Sequence, residues 1–175
     1  MPLSTLSAVT VVLRNLIKAA MPPKVEVSTL PLVLAEKFAK RGTIVARVNL
    51  MCHQLSPSPN SRNISLTRID PAIAGPNASP LNVLYLVTVY GTPIPEQAQS
   101  TERLLEAVYR ALDQKPVLSA TDLEAALPNG GGTPRTVTAR IVAQVLSFAE
   151  VESLFSSLQA GYRPTLAYQV TIAEE

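Results

Sequence analysis

The chain has 175 residues, with 15 basic and 13 acidic side chains giving a formal net charge of +2; no block of like charge is present, which argues against a nucleic-acid or anionic-membrane surface. Charged residues make up 16% of the chain against about 25% in an ordinary globular protein, a thin ionic coat that suits a surface partly covered by neighbours. The one cysteine, Cys52, excludes an internal disulfide and fits synthesis in a reducing cytosol.

The length suits a single domain, 1–175, able to bury roughly 70% of its unfolded surface without a staple. Leu3 to Leu13 is apolar, but no positive charge precedes it, and Arg14 and Lys18 follow before any cleavage pattern, so it does not read as a signal peptide. No apolar run reaches the roughly 20 residues that a membrane-spanning helix needs.

In chain order, Leu6, Val9, Leu13, Leu16, Ile17 and Ala20 recur at steps of three and four, which predicts an amphipathic helix over Ser4 to Ala20, stopped by Pro22-Pro23. Lys24 to Ser28 alternates as a short edge strand, Leu30 to Arg41 is too mixed to assign, and Thr43 to Leu55 reads as a buried central strand. Repeated prolines make 56–80 a long loop, in which Ile64, Leu66 and Ile69 suggest a weak hairpin arm. Leu81 to Tyr90 is the clearest strand. Tyr85, Val87 and Val89 alternate with Leu84 and Leu86, as expected where both faces are covered.

Leu104, Leu105, Val108, Ala111 and Leu112 predict a helix over Glu96 to Asp113, ended by Pro116. Thr121, with Glu124 three residues on, suggests a capping box for a short helix over Ala120 to Leu127. A glycine-rich loop at 128–134 follows. Thr136 to Leu146 then reads as a strand with Val137, Ala139, Ile141, Ala143 and Val145 inward. Ala149 to Leu158 reads as a helix with Val151, Leu154, Phe155 and Leu158 on one stripe. A closing strand over Thr165 to Ile172 carries Leu166, Tyr168, Val170 and Ile172 on one face. The fold class is α+β: one mixed β-sheet packed against the N-terminal helix and a second long helix.

Few residues offer chemistry. Cys52 and His53 are the one conventional nucleophile–base pair, yet neighbours on a strand point to opposite faces, which separates thiol from imidazole. One Cys and one His cannot supply a zinc site, and the run at Gly130 lacks the Lys-Ser or Lys-Thr of a phosphate loop. The carboxylates Glu102, Glu106, Asp113, Asp122, Glu124, Glu150 and Glu152 fall on polar helix faces or in first turns, where solvation or the helix dipole accounts for them. The sequence therefore predicts no catalytic residue, no cofactor and no metal. The tyrosines lack the interleaved basic residues of a base-stacking platform and fit core or rim packing better.

Three stretches carry a resemblance. They are Leu81 to Tyr90 ahead of a variable loop, Glu102 to Leu112 running into Pro116-Val117-Leu118, and Leu154 to Leu158 followed by Tyr162-Arg163-Pro164-Thr165-Leu166 and the last strand. Together they resemble the tail-terminator or cap proteins of extracellular contractile injection systems, of the antifeeding-prophage and virulence-cassette type. The resemblance covers the C-terminal half well and agrees in order and character with the N-terminal half; the loops at 56–80 and near Gly130 depart from it.

The resemblance implies a tail-terminator-like fold and a non-enzymatic protein that forms a homohexameric ring at the end distal to the baseplate and stops growth of the inner tube and sheath. It implies partners of the same kind, tube and sheath subunits with no nucleic acid or membrane, and synthesis in a bacterial cytoplasm before incorporation into a particle that can leave the cell. A ring contact that covers a growing end without offering a new subunit site would end a polymer. Strand edges are natural joints for it, and Thr165 to Ile172 and Lys24 to Ser28 are the two candidates. Tyr162, Arg163, Pro164, Thr165 and Tyr168 are the expected interface residues, with Arg163 either clamping a neighbour's carboxylate or carbonyl or closing a corner within the subunit. Two rival readings remain: a baseplate or adaptor module of the same particle, and a small ligand-binding domain with its pocket near Cys52 and His53.

Overall fold

A computed structural model describes residues 3–41, 46–58, 80–91, 98–126 and 137–174. Helix α1 (Leu3–Ala20) stops two residues ahead of Pro22, and its Lys18 lies in the last turn, where a cation complements the helix dipole. Val9, Leu13 and Ile17 are buried as the spacing requires, joined by Ala8 and Val12, while Ala20 at the end of the stripe is exposed. β1 (Glu26–Ser28) follows and runs parallel to β2 (Arg47–Pro57).

Between them lies α2 (Leu32–Arg41), a helix in the segment whose mixed pattern gave no assignment. It starts where the Pro31 carbonyl accepts from Leu34 and Ala35, proline being suited to a first turn in which its missing N–H costs nothing. Among the residues whose side chains are described, Leu32 and Ala35 are buried, whereas Leu34 and Phe38 stay exposed. So mixed a pattern gives little periodicity to read.

β2 extends through Ser56 and Pro57, two residues into the expected loop, because β3 (Leu81–Tyr90) pairs with it as far as Pro57 opposite Leu81. The loop residues 59–79, the hairpin arm within them, the glycine-rich stretch at 128–134 and the expected starts of β2 and α3 lie outside the described residues. α3 (Ala98–Asp113) leads to a two-residue strand, β4 (Val117–Leu118), too short to announce itself by alternation.

α4 (Ala120–Ala125) is capped by Ser119 and Asp122, not by Thr121 and Glu124. Ser119 Oγ accepts from the Asp122 N–H while the Asp122 carboxylate accepts from the Ser119 N–H at 2.9 Å, and Lys115 forms an ion pair with that same carboxylate. Both S/T-x-x-D/E patterns fit the chain locally; the lysine partner favours the earlier one. The Lys115 contact first, and the Ser119 N–H second, hold the Asp122 carboxyl below the usual range.

β5 (Val137–Gln144), α5 (Phe148–Ser157) and β6 (Thr165–Glu174) complete the chain. The six strands form one mixed, curled sheet in the order β1-β2-β3-β6-β5-β4. One face carries Val48, Leu50, Val83, Tyr85, Val87, Val89, Tyr168, Val170 and Ile172 into a single core with α1, Leu104, Val108 and Leu112 of α3 and Leu123 of α4. Leu86, Thr88 and Tyr90 alternate onto the opposite face and are also buried, so β3 is covered on both sides as its continuous apolar run predicts.

Two inward assignments fail. Ala143 is exposed, and Val145, beyond the end of β5, is 96% exposed. β4 pairs with β5 only at Arg140 and Ala139, so among the described elements the end of β5 has a neighbouring strand on its β6 side alone.

Candidate functional site

The expected joint at the last strand is not a sheet edge. β6 runs between β3 and β5 and pairs with both along its length, so its backbone groups are taken within the subunit. β1 does lie at an edge, where one outward group, the Val27 carbonyl, is engaged. Glu26 donates to the Ala46 carbonyl, which turns Glu26 and Ser28 toward β2 and Val27 outward, and Arg14 Nε donates to the Val27 carbonyl at 3.4 Å.

The segment joining α5 to β6 forms a corner. α5 begins with a reciprocal capping box between Ser147 and Glu150, and the two Ser147 hydrogen bonds lower the Glu150 carboxyl from its ordinary range. The helix ends in a Schellman arrangement, with Ala160 N–H donating to the Phe155 carbonyl and Gln159 N–H to that of Ser156. Gln159 takes the left-handed conformation, φ 51°, that glycine usually occupies there. Gly161 N–H then donates to Glu36 of α2 at 3.1 Å, tying the corner to the neighbouring helix.

Four of the five expected interface residues gather at this corner. Tyr162 is 66% exposed, its ring tilted by 58° against Phe155 at 5.7 Å between centroids. Arg163 is half-buried, with its guanidinium 5.7 Å from the Tyr90 ring centroid, within cation–π range. The Pro164 carbonyl accepts from Val89 N–H at 3.1 Å, and Thr165 Oγ1 donates to the Arg163 carbonyl while meeting Thr88 Oγ1 at 3.2 Å. Arg163, Pro164 and Thr165 therefore build a corner within the subunit, and Tyr162 is the member that presents itself outward.

Tyr168 stands apart. It is 3% exposed on the α1–α3 face, opposite Tyr85 and Ala143 in register, and its hydroxyl has no partner among the described residues. Burial foremost, then the nearby Tyr109 and Asp113, pushes its hydroxyl pKa up to about 12. Tyr90 is likewise raised to about 12, by burial first and then by Glu36. Both rings stay neutral packing elements at ordinary pH.

Reading the sequence missed an apolar patch. Phe148 is 79% exposed at the start of α5, two turns ahead of Phe155 on the same side of the helix, and with Phe155, Ala160 and Tyr162 it lines a groove of about 330 Å³. The available signal was Val145-Leu146-Ser147-Phe148, bulky apolar residues in a connection between a strand and a capping serine.

Cys52 and His53 do face opposite sides. Cys52 lines a groove with Leu6, Thr10 and Arg14 beneath α1, whereas His53 lines a separate groove of about 470 Å³ with Leu84 and with Ser153 and Leu154 of α5. A register shift between Cys52 and Gln54 marks the spot. Burial raises the Cys52 thiol pKa, the reverse of activation. Among the described residues no group of three or more His, Cys, Asp or Glu is placed to hold a metal ion, and no helix is long and apolar enough to cross a membrane.

The arrangement as a whole has known counterparts. The PVC sheath/tube terminator of an extracellular contractile injection system, solved by cryo-EM in its extended state, superposes with a TM-score of 0.62 over 96% of this chain and 56% of that one, at 16% identity. The anti-feeding prophage cap, described as a tube-terminating cap, superposes with a TM-score of 0.61 over 95% of this chain and 54% of that one, at 15% identity. This chain thus spans about half the length of each, and the likeness establishes the tail-terminator fold. No curated protein matches it. Residues 8–174 match the Pvc16 N-terminal domain, so the chain belongs to the Pvc16 N-terminal domain family.

Proposed function

We propose that the chain is a structural terminator of a phage-tail-like contractile injection system, a subunit of a ring that sits at the distal end of the particle and ends growth of tube and sheath. The observation that carries this reading is the superposition of nearly the whole chain on two solved terminators, joined to membership of the Pvc16 N-terminal domain family. The surface supports it: the carboxyls held below their ordinary range, Asp122 and Glu150, serve helix caps, and the exposed residues include an apolar patch at Phe148 and Tyr162. Such a protein acts by occupying a polymer end. Six copies, tube and sheath as partners, and a non-enzymatic role follow from the same reading.

Labelling tests it. A gold-conjugated antibody against this chain, applied to purified particles, is expected to decorate one end, opposite the baseplate. Decoration of the baseplate end would instead make the chain an adaptor module, and the terminator reading would be lost.

A further inference from the structure

Two exposed surfaces of this chain complement each other. On α2, Leu34 and Phe38 lie one turn apart and form an exposed apolar ridge, with the exposed Lys37 beside them. Lys37 has no acidic partner among the described residues. On α5, Phe148, Glu152 and Phe155 fall on one face of the helix and line a groove completed by Ala160 and Tyr162. Glu152, one turn after Phe148, is exposed and has no cationic partner among the described residues. An aromatic ridge thus carries a lone ammonium, and an aromatic groove a lone carboxylate. Exposed aromatic surface of this kind is characteristic of protein interfaces.

The chain does not fill its own groove with its own ridge. The corner that holds Tyr162 is tied to α2 through Glu36, whose carboxylate accepts from Gly161 N–H. At about 100° per residue, Glu36 lies on the opposite side of the helix from the line between Leu34 and Phe38. The ridge therefore points away from the corner, and the two surfaces can meet only between molecules.

We infer that the α2 ridge of one copy seats in the α5 groove of the next, and that this contact joins the copies of the ring. Lys37 then faces Glu152, and Leu34 and Phe38 face Phe148 and Tyr162. Pairing like with like is disfavoured: two grooves face to face set Glu152 against Glu152, and two ridges set Lys37 against Lys37. The remaining exposed aromatic among the described residues, Tyr109, sits between Glu106 and Asp113 on α3, where the adjacent cation, Arg110, is already paired with Glu106. It leaves no cation for Glu152. A contact between two different surfaces of one chain is heterologous, the kind that builds a ring. The inference rests on the ring reading above and adds to it the two elements that meet.

Mixing two variants tests it. Phe38→Asp removes the ridge and keeps the groove, and Phe148→Asp does the reverse; both positions are exposed, so each variant is expected to keep the wild-type unfolding midpoint. By native mass spectrometry the wild-type chain is expected to form a closed multi-copy species, and each variant to stay single. An equimolar mixture is expected to give a two-copy species and nothing larger, because one intact groove then meets one intact ridge. Lys37→Glu and Glu152→Lys are each expected to weaken association by about tenfold per contact, an exposed ion pair's attraction having become repulsion, and the chain carrying both is expected to regain it. A ring formed by Phe38→Asp or Phe148→Asp, a two-copy species from either alone, a mixture that stays single, or a double exchange that restores nothing overturns this contact and leaves the terminator reading standing. A wild-type chain that stays single overturns the contact and the ring together, while end labelling, which needs no ring in solution, judges the terminator reading separately.

Discussion

Tyr85→Ala is expected to lower the unfolding free energy by about 3–5 kcal/mol, the range for emptying a buried aromatic site. Tyr85 is fully buried at the middle of β3, beside Cys52 of β2 and Tyr168 of β6. Its hydroxyl meets Thr10 Oγ1 of α1 at 2.8 Å, and because Thr10 already donates to the Leu6 carbonyl, the tyrosine is the donor of that pair. Truncation thus opens a cavity between α1 and the sheet and also removes the hydrogen bond across it. Tyr85→Phe separates the two effects. It keeps the ring and is expected to cost about 1 kcal/mol, the net worth of one hydrogen bond. Urea unfolding of the three proteins measures both differences, and a loss below about 1 kcal/mol for Tyr85→Ala would mean that the α1–sheet packing is not as described.

Asn49→Ala is the second large effect, and its origin is polar. Asn49 lies buried in β2 between Ser28 and Thr88, and its side-chain amide treats the β1–α2 connection as if it were another strand. Oδ1 accepts from Leu30 N–H at 2.9 Å and from Ser28 Oγ at 2.8 Å, while Nδ2 donates to the Leu30 carbonyl at 2.8 Å. Alanine removes all three bonds and orphans both backbone groups of Leu30, each worth roughly 1–3 kcal/mol when left unsatisfied and buried. A total loss of about 3 kcal/mol is expected, with faster hydrogen exchange at Leu30 than in the wild type. Unchanged exchange at Leu30 would show that the connection is held by something other than Asn49.

The two variants mark what was legible in the sequence. β3 and the core stripes of α1 and α3 could be read because each repeats its apolar period over three turns or ten residues, long enough to outweigh local propensity. Asn49 could not be singled out, since a lone asparagine in a strand shows its value only when Leu30 folds back beside it. α2 was missed because its pattern is mixed: beside the buried Leu32 and Ala35, the large apolar Leu34 and Phe38 face solvent. The position of β6 in the middle of the sheet depends on pairings with β3 between Thr88↔Thr165 and Leu81↔Ile172, far apart in the chain, which no local pattern reveals. The same gap hid the terminal strand's place: it looked like an edge because it comes last, yet it pairs with β3 on one side and β5 on the other. At the corner, Tyr162 is exposed, whereas Tyr168, with the same chemistry, lies in the core, a difference that no local pattern separates.

As a terminator, this chain would end a polymer by covering its growing end. Deleting the gene and measuring particle lengths by electron microscopy tests that most directly. Termination predicts tubes and sheaths of irregular, often excessive length, restored to a narrow distribution by the wild-type chain. Particles of unchanged, uniform length without the chain would contradict it.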